Sequence, residues 1–364
     1  MPTGPEQSSS SVHELPGGDT TATDLVVSGT LPASLSGQYL QIGPNPVEGI
    51  VHGVVLRGGR ATSSRNRWLP TADGDIVPSN LIAFGSFVLA VGDGALAYEL
   101  SADLDTIRRV DLAGARRKLI ARSTFDPHTG ELHLLTFGAD PSQLHVIVSR
   151  GGLKRTIRPI DDAPNRIRQL EVTRDDVVLL ADGFVGLMPR TGVRTPTTWF
   201  DVDTEGRQIA AADAREEEVI VYAIGPSLVR WSLDRRVATA RCEMLDATRH
   251  SFATSNPRPI GITQRLLWTV GAGAAHAHDL LRGGRRSHDF GAGRVPNGLV
   301  FVADPDRCTM EDGGWLVGLV HDDASNQTDL VVLDAQAIEQ SAIAMVHLPR
   351  RLPSGADATW MPAI

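Results

Sequence analysis

The sequence predicts an all-β chain arranged as a β-propeller of four-stranded blades, and three observations carry that prediction. From Leu81 onward, apolar β-branched runs with two-residue alternation are separated by glycine, aspartate and proline turns, the pattern of consecutive antiparallel strands. Helical periodicity is nearly absent. The strand groups recur roughly every 40 to 50 residues, the length of one blade. A pair of β-sandwiches would give similar strands but would need a linker, and none is visible.

Taken in order, residues 1–24, "MPTGPEQSSSSVHELPGGDTTATD", lack a basic segment followed by an apolar one, so no signal peptide is expected there and the stretch reads as a disordered tail. A single propeller domain is expected over 25–364. The run "LIAFGSFVLAVG" (81–92) is the most apolar of the chain, yet it is too short and too broken by glycine to cross a bilayer, and it fits a core strand. Strand pairs follow in "FVLAVGDGALAYEL", "GELHLLTFGADPSQLHVIVSR", "VVLLADGFVGLMPR", "EVIVYAIGPSLVRWSL", "RLLWTVGAGAAHAHDLL" and "GWLVGLVHDDASNQTDLVVLDA".

With 364 residues the chain is long enough to bury a substantial core without a cofactor to hold it together. A net charge of −8 argues against nucleic acid, whose phosphates need clustered cations. Cys242 and Cys308 have no second cysteine nearby, so neither a disulfide framework nor a zinc site is expected, and a reduced cytoplasm is the expected compartment.

Several stretches together resemble the carotenoid cleavage oxygenase family, which includes the retinoid isomerase of the retinal pigment epithelium. They are "LPASLSGQYLQIGPNP" (31–46), "VHGVVLRGGRA" (51–61), "SRNRW" (64–68), "FDPHTGELHLL" (125–135), "HDFGAGRVP" (288–296), "EDGGWLVGLVHDDASNQTDLVVLDA" (311–335) and "VHLPRRLPSGADATWMP" (346–362). The resemblance implies seven blades, a ferrous ion held on the axis by four histidines, and a dome of loops roofing an apolar tunnel for a polyene.

Matched motif by motif, the four ligand positions hold no histidine. The first falls on Arg122 in Ala121-Arg122-Ser123, the second on Arg168 in Ile167-Arg168-Gln169-Leu170, the third near Ile209 and the fourth on Asp357 in "SGADATW". The glutamates that steady those histidines in the family fall on Asp93, Ser251 and Gly298. Two loops are short, Val47-Glu48-Gly49-Ile50 and the segment after Phe200, so a reduced dome is expected. His276 and His278 form a His-x-His on one face of a strand, the spacing of a metal pair. No third ligand is evident in the sequence, so no metal and no cofactor are expected.

The resemblance therefore sets Arg122, Arg168 and Asp357 around the axis, with Asp93, Ile209, Ser251 and Gly298 as further substrate-binding positions. A buried ion pair plugging the vacated hole is one reading of the three charged groups. The other is a fixed positive field that binds an acidic oxygen of an apolar substrate and stabilises charge developing on a carbonyl or enolate. On this basis the expected function is a metal-independent cyclase or cycloisomerase without redox cofactor, not an iron dioxygenase. It would close a ring in a polyene or polyketide, by a [4+2] or enolate-assisted route, in bacterial secondary metabolism. A non-catalytic carrier of a hydrophobic isoprenoid or apocarotenoid is the alternative. The expected partner is an apolar small molecule, without nucleic acid or stable membrane insertion.

Overall fold

A computed structural model describes residues 19–43, 49–69, 78–84, 87–92, 96–112, 118–119, 124–126, 129–137, 142–148, 154–160, 162–192, 196–257, 262–355 and 357–363. Every regular element among them is a β-strand. The strands form seven antiparallel sheets of four or five strands, so the all-β, seven-bladed expectation holds.

One strand of each blade lies innermost, and these seven strands follow one another around the axis: Asp357–Pro362 (blade 1), Asn80–Phe84 (blade 2), Thr124–Asp126 (blade 3), Ile167–Val172 (blade 4), Gln208–Ala214 (blade 5), Phe252–Thr254 (blade 6) and Arg294–Ala303 (blade 7). Both chain ends close the ring. The last strand, Asp357–Pro362, enters blade 1 beside Gly37–Gly43, and the N-terminal strand Val26–Gly29 becomes the outer edge of blade 7 beside Ala344–Leu348.

Four residues of the expected tail, 1–24, are strand. Thr20–Thr23 pairs with the edge of blade 1, because the Thr20 hydroxyl and carbonyl accept hydrogen bonds from Asn66 and Arg67, and Asp19 accepts the N–H of Trp68. Residues 1–18 lie outside the described residues.

Blades stack face to face, so the second strand of each must be apolar on both sides. Asp176–Ala181 and Leu266–Gly271 are buried at every position, which explains why "VVLLA" and "LLWTVG" read as continuous apolar runs rather than alternating ones. Each of the seven seams encloses one cluster of buried side chains. Trp268 of blade 6 stacks on Phe301 of blade 7 with ring centroids 5.0 Å apart, and Trp231 is wholly buried between blades 4 and 5.

Arginine–carboxylate pairs tie the same seams from the polar side. Arg190 of blade 4 reaches into blade 3, where its guanidinium donates to Asp126 at 2.7 Å and Glu131 at 2.5 Å. The Asp126 side chain is fully shielded from water. Removing the guanidinium strands two carboxylates in one buried corner, which is far worse than never having buried the triad. Arg190→Leu is expected to lower the unfolding free energy by about 3 kcal/mol, read as a lower urea midpoint at neutral pH, with Arg190→Lys recovering part of the loss.

Candidate functional site

The axial ring is stitched by polar side chains that reach from one inner strand to the main chain of the next. Gln169 of blade 4 donates to the carbonyl of Ile209 and accepts that residue's N–H, both at 2.9 Å. Gln208 of blade 5 donates to the Ser251 carbonyl, and Gln41 of blade 1 to the Asn297 carbonyl of blade 7. Thr254 accepts the N–H of Phe301, and Thr124 donates to the carbonyl of Leu170. Inner strands cannot form a continuous ladder around the axis, and these bonds satisfy backbone groups there that would otherwise be buried without partners.

The positions singled out in the sequence belong largely to this stitching. Asp357 opens the inner strand of blade 1 and accepts the N–H of Leu81 in blade 2 at 2.8 Å. Arg168 occupies a β-bulge, which turns it away from the axis toward the rim between blades 4 and 5. There it forms an ion pair with Asp182 at 2.6 Å and donates to the carbonyls of Thr204 and Arg207. The expected convergence of Arg168 on Asp357 is therefore corrected: the bulge gives the arginine a nearer carboxylate. Ile209 is buried in the seam between blades 4 and 5. Ser251 is exposed, and its N–H pairs with Val270. Gly298 sits at a bulge with φ of +72°, a conformation suited to glycine, and its carbonyl accepts the Tyr39 hydroxyl. Arg122 and Asp93 lie outside the described residues.

These described positions do not fit an axial iron on imidazoles. Arg168 is a cation already paired, Ile209 has no donor atom, and Asp357 offers a single carboxylate that already holds a backbone N–H. An iron of this kind needs several imidazole or carboxylate ligands with an oriented outer shell.

Two groups that the sequence reading missed stand out. Glu171, on the inner strand of blade 4, faces a cavity of about 170 Å³ shared with Ala210–Ala214 and Asn256. Its carboxylate accepts the neighbouring Val172 N–H at 3.0 Å, and burial pushes its pKa up to about 7. Nothing local marks it, because a glutamate in an alternating strand reads as solvent-facing.

The second is a set of donors at the seam of blades 5 and 6. His278 does point to the same side as His276, as the His-x-His spacing predicts. His276 is spent on Ser287 and the Gly271 carbonyl, whereas His278 meets His250 and Asp246, with one ligand atom from each of the three within 4.8 Å of the others. The expectation of no third ligand is corrected, since the partners come from another blade and from a connection, which spacing along the chain does not show.

Two further histidines have structural partners: His52 bonds Asn66, and His347 bonds Asp329 and Ser28. Cys242 and Cys308 are free and exposed. No helix among the described residues is long and apolar enough to cross a membrane.

Residues 184–362 match the family described as retinal pigment epithelial membrane protein. Over these residues the chain is similar to this carotenoid cleavage oxygenase family. It is 26% identical to a carotenoid cleavage oxygenase of Mycobacterium tuberculosis, with 94% of this chain and 95% of the relative covered. It is 22% identical to isoeugenol monooxygenase of Pseudomonas nitroreducens, at 93% and 94% coverage. Among solved structures it resembles the lignostilbene dioxygenase of Pseudomonas brassicacearum, with a TM-score of 0.84 at 18% identity, covering 95% of this chain and 96% of that one. It also resembles a cobalt-substituted Synechocystis apocarotenoid oxygenase, with a TM-score of 0.83 at 18% identity over 95% and 97% of the two chains. The alignment with the mycobacterial relative runs over 481 positions, more than the 364 residues of this chain, so the relative carries long stretches without counterpart here.

These relatives overturn the metal-independent cyclase. They are named for oxidation, and the chain itself brings two histidines and an aspartate together in a ligand-like set. Nothing supports ring closure, isomerisation or a polyketide substrate.

Glu171 sets a pH dependence of known sign. Its pKa is raised from 4.5 to about 7 in the folded chain, so ionisation is disfavoured only there. Below pH 4.5 both states hold the proton and the penalty is absent. It grows as the pH rises toward 7 and levels off above, reaching on the order of 3 kcal/mol. Glu171→Gln is expected to unfold at higher urea concentration than the parent at pH 8.5 and to show no such gain at pH 4.5.

Proposed function

We propose that the protein cleaves a conjugated carbon–carbon double bond of an apolar small molecule with dioxygen, so that each carbon of the broken bond leaves as a carbonyl. One alkene and one O₂ give two aldehydes or ketones, and atoms balance without a further reductant. The observation that carries this reading is the near end-to-end correspondence with the mycobacterial carotenoid cleavage oxygenase, in a chain that keeps all seven blades. The substrates in the relatives' names are carotenoids, apocarotenoids, lignostilbenes and isoeugenol. Their shared chemistry is an alkene conjugated with a polyene or an aromatic ring, and that is the substrate class proposed here. The described axial residues form no imidazole cradle, so no step is drawn through an iron on the axis.

Purified protein supplied with ferrous ion and air should convert a member of a panel of apocarotenoids and hydroxylated stilbenes to carbonyl products that carry label from ¹⁸O₂. Products absent under air, or equal in amount under nitrogen, would remove the oxygenase reading.

A further inference from the structure

We infer that Asp246, His250 and His278 form a binding site for a divalent first-row transition ion at the seam of blades 5 and 6, apart from the axial ring. The inference rests on different residues from the proposed oxygenase reaction and stands independently of it.

Three segments build the site. Asp246 ends the outer strand of blade 5, Thr239–Asp246, and its Oδ1 is fixed by the N–H of Thr248 at 2.8 Å and the Thr248 hydroxyl at 2.7 Å. That leaves Oδ2 turned toward the histidines. His250 follows four residues later, its backbone N–H anchored on the Gly225 carbonyl, and its Nε2 stands 3.7 Å from Oδ2. His278, on the strand Ala274–Asp279 of blade 6, presents Nδ1 at 4.0 Å from the same oxygen. Both imidazoles are almost fully buried. Neither approach to the carboxylate is a hydrogen bond.

The far side of the two rings decides their tautomers. The Thr269 hydroxyl lies 3.0 Å from His250 Nδ1 and 2.9 Å from His278 Nε2. A hydroxyl has one proton to give, so it can donate to only one of the two nitrogens, and at least one ring must donate to it. Burial lowers the pKa of both rings, that of His278 to about 4. A neutral imidazole that donates on the Thr269 side carries its lone pair on the side facing Asp246. The Thr248 hydroxyl, 3.3 Å from His250 Nε2, already gives its proton to Asp246 Oδ1 at 2.7 Å, so at least one ring lone pair confronts the carboxylate across about 4 Å, an arrangement that a cation between them relieves. A shared hydroxyl that orients ligand rings is the outer-shell device of histidine metal sites.

The donor set identifies the guest. Two neutral imidazoles and one carboxylate suit zinc, ferrous iron, cobalt or nickel rather than magnesium or calcium, which prefer oxygen. Three protein ligands leave further coordination positions open, and these face a cleft of about 630 Å³ lined by Arg230, Glu243, Leu245, Arg282 and Arg285. His276 is not a fourth ligand: both its nitrogens are engaged, and it packs edge-on against His250 with centroids 5.7 Å apart. Arg285 is the competitor. Its guanidinium bonds Asp246 Oδ2 at 2.8 Å, and its side chain is 41% exposed and free to swing into the cleft when an ion arrives.

The competition gives the test its direction. Full-length protein stripped with chelator is titrated with Zn²⁺ by calorimetry and with Co²⁺ by visible absorption. One ion per chain is expected, with Co²⁺ bands of low-symmetry nitrogen–oxygen coordination. His278→Ala and Asp246→Asn should each weaken binding by about 100-fold or more, and Thr269→Val by roughly tenfold, the effect of losing an outer-shell partner. Arg285→Ala should bind as tightly as the parent or more tightly. If the cluster were only a structural ion pair, the parent would bind no stoichiometric ion. Either that result, or binding unaltered by Asp246→Asn, or binding lost in a folded Arg285→Ala protein, overturns the site. Should His278→Ala fail to fold, Asp246→Asn and Arg285→Ala still decide. Co²⁺ binding without alkene cleavage leaves this site standing and removes only the reaction proposed above.

Discussion

The structure depends on closing a ring of sheets whose inner strands cannot hydrogen-bond to one another as a ladder. Each blade satisfies its own backbone, but the blade-to-blade junctions near the axis need another device. Side-chain amides, hydroxyls and one carboxylate supply it: Gln169 to Ile209, Gln208 to Ser251, Gln41 to Asn297, Thr254 to Phe301, and Asp357 to Leu81. The residues that make these bonds stand on the inner strands or, for Gln41, on the strand beside one. Among the described residues, these polar groups near the axis are committed to holding the ring together. That commitment explains why Asp357 is bound to a neighbouring backbone and why Arg168, on a bulge, finds its partner at the rim.

The fold was legible because propeller packing writes itself into the sequence twice. Strands such as Glu218–Ile224 and Gly314–Asp322 are apolar on both faces because two neighbouring blades press on them. Their turns carry glycines such as Gly183 and Gly273 at positive φ, which end the runs at a regular spacing. The blade edges were less legible. Thr20–Thr23 is polar throughout and becomes a strand only because the edge of blade 1 offers it partners.

The site was the least legible part, for a geometric reason. A resemblance assigns residues to the ring, but a single bulge at Arg168 redirects a side chain by more than the alignment can register. Conversely, Asp246, His250 and His278 carry no motif. Asp246 to His250 is a four-residue step in a connection rather than a helix turn, and His278 joins them only because blades 5 and 6 stack. Glu171 illustrates the same point with one residue. Alternation along its strand marks it as outward-facing, whereas on this inner strand its side faces a cavity shared with the inner strand of blade 5.

Charge distribution ties the two regions together. Arginines from one blade neutralise carboxylates of the next at several seams: Arg190 with Asp126 and Glu131, Arg235 with Asp176, and Arg285 with Asp246. At the first of these the acid is enclosed and the guanidinium cannot leave without stranding it. At the last the arginine is half in solvent, and behind the acid stand two buried imidazoles whose hydrogen-bond partners are hydroxyls, Thr269 for both rings and Thr248 for His250. The same kind of seam pair is thus a fixed rivet in one place and an exchangeable counter-ion in another. What separates the two cases is the exposure of the cation and the presence of unprotonated nitrogen within reach of the carboxylate, which is the condition for a metal to replace a guanidinium.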